Sequence, residues 1–169
     1  MDAERTRTYS WTAPSALREA AMAMTGLEFI SRALDSGQPA PIGATIGMTA
    51  ESVKEGEVAF ALVPQEFHYN PLGTVHGGIL STMLDSAAGC AVHTTLARGQ
   101  GWTSLTLEVK FLRAPTAATG RLVCTGRVVS RGRTVATAEA EIRDARRKLY
   151  ATATTTCMLF AAPSSETPQ

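Results

Sequence analysis

The sequence predicts an α+β domain in which an antiparallel sheet wraps around one long central helix, with an extra helix on the N-terminal side. Three observations carry this. The stretch from about 77 to 97 is rich in Ala, Leu, Met and Gly on nearly every side, so a helix there is buried all round. Four β-prone segments follow it, joined by links too short for crossover helices. An amphipathic segment precedes both, at 14–37.

The elements follow in order. Residues 1–12 read as a polar arm. In 14–37, Leu17, Ala20, Ala21, Met24, Leu27, Ile30 and Leu34 recur at helical spacing, with Ser15 as N-cap and Gly37 as stop. "QPAPIG" breaks the chain. Residues 44–64 read as two short strands around a Glu55-Gly56 turn, with Val58, Phe60 and Leu62 alternating. A loop over 64–75 leads to the central helix, which ends near Arg98-Gly99. The segment 102–115 alternates, with Leu105, Leu107, Val109 and Phe111 on one face and Ser104, Thr106, Glu108 and Lys110 on the other. Segments 119–130 and 133–144 flank a hairpin at Arg131-Gly132, and 148–160 is Thr-rich. These last four strands are expected to form an antiparallel meander. The division is an arm and helix over 1–40, a folded domain over 41–160 and a disordered tail over 161–169.

Composition narrows the function classes. With 169 residues, 44% apolar and 18% charged, the chain suits one domain with a proper core. A net charge of +1 gives no global reason to expect nucleic acid or a membrane surface. Charge is uneven along the chain: residues 1–100 hold six Lys/Arg against ten Asp/Glu, and 101–150 hold ten against four. The basic part suits an anionic ligand, or is a set of solvated strand edges. Cys90, Cys124 and Cys157 are widely spaced among apolar residues, which fits reduced, buried thiols in a cytoplasmic protein. No apolar leader and no bilayer-length apolar run is visible.

The chemistry concentrates in "HYNPLGTVHGGILSTMLDSAAG", residues 68–89. Thr74 or His76 can cap the helix. Gly77 and Gly78 lie in its first turn, where bare N–H groups and the positive end of the macrodipole suit an anion or a developing oxyanion. Close packing of the helix on a strand would call for the same glycines. Asp85 has Ser81, Thr82, Ala88 and Gly89 as its helical neighbours and no cation within a turn. A carboxylate so placed is costly unless it meets water or works. Seven helical residues span about 10 Å, too far for Asp85 and its own Gly78 amide to grip one carbonyl. A two-fold dimer with antiparallel helices removes that difficulty.

N-P-L-G-T-V-H-G-G-x6-D, followed by "SLTLEVKFLRAP", resembles the hotdog-fold acyl-CoA thioesterases. The likeness is to the PaaI-like, phenylacetate-degradation group of the 4-hydroxybenzoyl-CoA thioesterase superfamily, and runs from about 42 to 160. The resemblance implies an acyl-CoA substrate and a homodimer paired into a homotetramer. It implies Asp85 as general base or nucleophile and the Gly77/Gly78 amides as the oxyanion site. Asn70 would position substrate or water, His76 would orient the loop or touch the carbonyl, and Ser104 would lie near the attacking water. Arg113, Arg131 and Arg133 are candidates for the CoA phosphates. His68 and His93 read as structural. No metal-ligand, serine-triad or nucleotide-loop motif is visible, and no cofactor is expected. The competing readings are a hotdog hydratase or dehydratase and a non-catalytic acyl-CoA-binding module.

Overall fold

The computed structural model describes residues 4–161. The tail expected over 161–169 therefore lies outside the described residues, apart from Ala161.

The N-terminal segment forms two helices rather than one, α1 (Pro14–Ala23) and α2 (Gly26–Ser36). A capping box causes the break. The Thr25 hydroxyl accepts from the Glu28 N–H at 3.3 Å, and the Glu28 carboxylate accepts from the Thr25 N–H at 2.9 Å. Ser15 is not a cap, because Pro14 already occupies the first turn of α1. α2 ends as expected at Gly37, with φ of 64°. "QPAPIG" does more than break the chain: Pro41 opens a third short helix, α3 (Pro41–Ile46), which takes the start of the region expected to be strand.

Six antiparallel strands follow: β1 (Thr49–Lys54), β2 (Glu57–Leu62), β3 (Gln100–Phe111), β4 (Leu122–Arg131), β5 (Val135–Asp144) and β6 (Leu149–Ala161). Their order across the sheet is β1-β2-β4-β5-β6-β3. β4, β5 and β6 form the expected meander. β3 does not join it at β4. It pairs with β6 at the far edge, because β4 pairs with β2 instead and the long 112–121 connection lets the chain cross.

The central helix α4 (Gly77–His93) lies in the curve of this sheet. Leu80, Met83, Leu84, Ala87, Ala88 and Val92 are buried in one core cluster with Leu122, Cys124, Ala138, Ile142 and Ala151. This is the wrapped-helix arrangement expected. α4 stops at His93, short of Arg98, because the Thr94 and Thr95 hydroxyls donate to the Ala91 and Val92 carbonyls and close the last turn. Two glycines set the fit. A side chain on Gly126 of β4 would collide with the backbone of Ala87 and Ala88, and one on Gly89 would enter the Trp102 ring.

β3 breaks strict alternation. Its register with β6 shifts between Ser104 and Thr106, so a bulge forms at Leu105. Leu105 is 56% exposed instead of facing inward with Leu107. The bulge turns Ser104 toward α4, on the side where Leu107 and Val109 pack further along the strand.

At the β5–β6 turn, the Asp144 carboxylate accepts from the Lys148 N–H, the Tyr150 hydroxyl and the Arg146 N–H, which together hold its pKa below the ordinary 3.8. A depressed carboxylate stabilises the fold above its unfolded pKa and loses that contribution as pH falls through the folded value. This turn is therefore expected to lose stability below pH 3.8, not above it. Asp144→Asn should flatten the acid limb of stability measured by circular dichroism against pH, with little change in the limb's shape near neutrality.

Candidate active site

The start of α4 is built by the loop before it. The Asn70 side chain accepts from the Leu72 N–H at 2.9 Å and donates to the Thr74 hydroxyl at 3.1 Å. The Tyr69 hydroxyl accepts from the Ala117 N–H at 2.6 Å, and the Val75 N–H donates to the Pro115 carbonyl at 2.9 Å. Asn70 thus holds the loop that delivers His76.

His76 is the N-cap. Its Nδ1 accepts from the Gly78 N–H at 2.8 Å, so the ring proton sits on Nε2. The two glycines now separate in role. The Gly78 N–H is used by the cap, whereas the Gly77 N–H finds no partner among the described residues. A Cβ on Gly77 would lie 3.1 Å from the Phe111 ring, and one on Gly78 would lie 2.9 Å from His76 Nδ1. Close packing and an open helix end therefore both require these glycines.

Asp85 lies eight residues along α4 from Gly77, about 12 Å by helical rise. One chain does not bring them together. It does bring Asp85 to Ser104, whose hydroxyl donates to Oδ1 at 2.9 Å. This is the sole ion-pair or hydrogen-bond contact of the Asp85 carboxylate among the described residues. The bond depends on the bulge at Leu105, which turns Ser104 inward.

The surroundings of Asp85 are apolar. Burial pushes the Cys90 thiol up to about 12, and the nearby Asp85 carboxylate adds to this, so Cys90 stays protonated and is a poor nucleophile. His93 is held below its ordinary pKa by burial. The Trp102 indole donates to His93 Nδ1 at 3.1 Å, and Phe29 of α2 stacks on the His93 ring with centroids 5.4 Å apart. Here the structure adds residues that the sequence reading set aside. Phe29 and Ala33 of α2, with Ser86, Cys90, His93 and Trp102, are in the wall of a cavity of about 390 Å³ that also reaches Asp85. His68 is structural as expected, with its ring nitrogens bonded to Gln65 and Ile46.

The arginines divide into two places. Arg113 donates to the Leu149 carbonyl at 2.6 Å, just past the end of β3 where Phe111 meets Gly77. Arg131 donates to the Thr95 hydroxyl at 3.2 Å, next to the opposite end of β3, and Arg133 follows in the same turn. β3 is twelve residues long, up to about 37 Å of strand, so these places lie at its opposite ends and are separate candidate sites within a single chain.

The geometry can be set beside known proteins. The family described as the thioesterase superfamily matches residues 72–151. A phenylacetic acid degradation-related protein from Ralstonia eutropha JMP134, classed among thioesterases, is 36% identical; the match covers 76% of this chain and 97% of that one, with a TM-score of 0.68. A thioesterase family protein from Silicibacter pomeroyi is 27% identical over 79% of this chain and 98% of its own, with a TM-score of 0.70. The PaaI protein of the E. coli phenylacetic acid degradation operon shares the fold at 19% identity, over 83% and 97% of the two chains, with a TM-score of 0.71. No curated protein matches significantly.

Proposed function

This chain belongs to the hotdog-fold thioesterase superfamily, among its PaaI-like members, and from that premise we propose that it hydrolyses acyl-CoA thioesters to a free acid and CoA. The observation that carries the reading is Asp85: a carboxylate on an apolar helix, without a cation, held by the hydroxyl of Ser104.

The roles follow from the geometry. Ser104 holds Oδ1 and leaves Oδ2 for chemistry. Asp85 takes the proton of a water that attacks the thioester carbon, or attacks that carbon itself and is then released by water. The carbonyl oxygen becomes an oxyanion and rests on the positive end of a helix, where the Gly77 N–H is unused. Collapse breaks the C–S bond, and the CoA thiolate leaves and takes a proton. Because one chain separates Asp85 from Gly77, the oxyanion donor comes from a second copy.

The β3 edge supports such a dimer. It has no strand neighbour on one side, and Leu105 and Phe111 are 56% and 54% exposed along it. A second copy that continues the sheet from β3 would cover them and set the two α4 helices antiparallel. Dimers would pair into a tetramer. Arg113 stands at the Gly77 end and the Arg131/Arg133 pair at the other, so each group is a separate candidate for the CoA phosphates. The free thiols, with Cys124 and Cys157 buried, suit a reducing cytoplasm. No helix among the described residues is long and apolar enough to cross a membrane.

Thiol release from a panel of acyl-CoAs, followed with a thiol reagent and by mass spectrometry of the acid, tests the reading. One acid and one CoA should appear per thioester consumed. Loss or gain of enoyl absorbance without thiol release would indicate a hydratase, and binding without any turnover would indicate a non-catalytic module. Either result would remove the hydrolase.

Ser104 acts through Asp85. A hydrogen bond to a charged group contributes about 1.5–3 kcal/mol. Ser104→Ala should therefore lower kcat roughly 10- to 100-fold with KM nearly constant, and Ser104→Thr should recover part of the loss. A change confined to KM would mean that Ser104 contacts the substrate instead.

A further inference from the structure

Resting on that reading of Asp85, we propose that the cavity between α2 and α4 receives the acyl group, and that α2 sets how large an apolar acyl group the chain accepts. Phe29, Ala33 and Leu34 of α2 form part of the wall, and Ser86, Cys90 and His93 of α4 form another part. Asp85 is in the same wall and is the one acidic or basic side chain among the lining residues besides His93, which burial keeps neutral. An apolar group attached to a thioester at Asp85 would thus have an uncharged space to enter, whereas a second carboxylate on the acyl group would meet no cation there.

The size of the space gives the substrate class. A methylene takes about the room of one water in the liquid, ~30 Å³. That share already includes the gaps between neighbours, so 390 Å³ holds at most about thirteen such groups. The fitting class is an apolar acyl group of medium size, up to about thirteen carbons.

α2 is held firmly enough to act as a wall. The Gly26 N–H donates to the Leu96 carbonyl at 2.9 Å, and a side chain on Gly26 would collide with the His93 carbonyl. Phe29 stacks on His93 three residues later. The family match spans residues 72–151 and so does not include α2. The size limit therefore rests on a segment outside the matched family region.

S-methyl-, S-hexyl-, S-decyl-, S-tetradecyl- and S-octadecyl-CoA are suitable probes, since a thioether binds without being hydrolysed. Titration calorimetry on the full chain should show affinity rising by up to about fourfold per buried methylene and levelling off by about thirteen carbons. Ala33→Trp, which fills the wall, should reduce the decyl-to-methyl affinity ratio at least tenfold. Leu34→Ala should move the plateau to longer chains, and it decides the matter if the Trp variant melts early. Affinity independent of chain length in the wild type, or an unchanged ratio and plateau in both variants, would overturn the proposal. Length-dependent binding without thiol release from any acyl-CoA would sink the hydrolase and leave the cavity assignment standing. Thiol release with length-independent binding would do the reverse.

Discussion

Asp85→Asn is expected to lower kcat by about 10²–10⁴-fold, the range that a positioned proton-transfer group supplies. The substitution keeps size and hydrogen-bonding shape but removes the charge and the basic oxygen. Asp85→Ala should be at least as impaired. Neither change should unfold the protein. Asp85 is only half-buried and has no cationic partner, so its removal strands no opposite charge. Ser104 loses an acceptor, but its hydroxyl can turn to another or to water. The expected pattern is a collapse of kcat for the best acyl-CoA of the panel, with the thermal midpoint shifted by a few degrees at most. Full turnover by Asp85→Asn would remove Asp85 from the chemistry and return the apolar helix with a lone carboxylate to an unexplained feature.

Gly126→Ala should produce a large loss of stability for a single added methyl group. The added Cβ would meet the backbone of Ala87 and Ala88, which cannot swing aside as a flexible side chain would. α4 would have to lift from β4 along its most buried stretch. Overpacking ordinarily costs about 1–3 kcal/mol, and contact with backbone places this case at or above about 3 kcal/mol. For a domain of this size that corresponds to a fall in Tm of roughly 6–12 °C. Activity should suffer as well, because Asp85 is two residues before Ala87 and its reach to Ser104 depends on the seating of α4. A melting curve that overlays the wild type would mean that helix and sheet are not pressed together at Gly126.

Much of this site is legible in the sequence, because its signals are local. His76, Gly77 and Gly78 mark a helix start by cap chemistry alone, and an isolated Asp on an apolar helix is conspicuous without any partner in view. The turns at Glu55-Gly56 and Arg131-Gly132 are equally local. The inward face of Ser104 is not legible, since a bulge is settled by the register with β6 and leaves no mark on β3 itself. Nor does the sequence say which strand neighbours β3, because a ten-residue link permits more than one topology. Thr25-x-x-Glu28 did signal the break between α1 and α2, but the continuous apolar spacing across 17–34 masks it. The apolar face of α2 reads as core in any sequence, and only the structure shows that it stands off α4 and leaves a cavity. Trp102 and His93 gain their place there through a contact nine residues apart, which neither residue announces.

The most direct test of the proposed two-chain site mixes two variants that are each expected to be inactive. Asp85→Ala removes the carboxylate. Gly78→Val displaces the His76 ring and covers the helix end beside the Gly77 N–H. Each homodimer should be nearly inactive. If each site joins Asp85 of one copy to the Gly77 end of the other, a mixed dimer has one site with both defects and one with neither. Co-refolding the two variants should then restore thiol release to about half of the wild-type rate per mixed dimer. Activity that stays at the level of the parents, with native mass spectrometry showing that mixed dimers have formed, would contradict a site built across two chains.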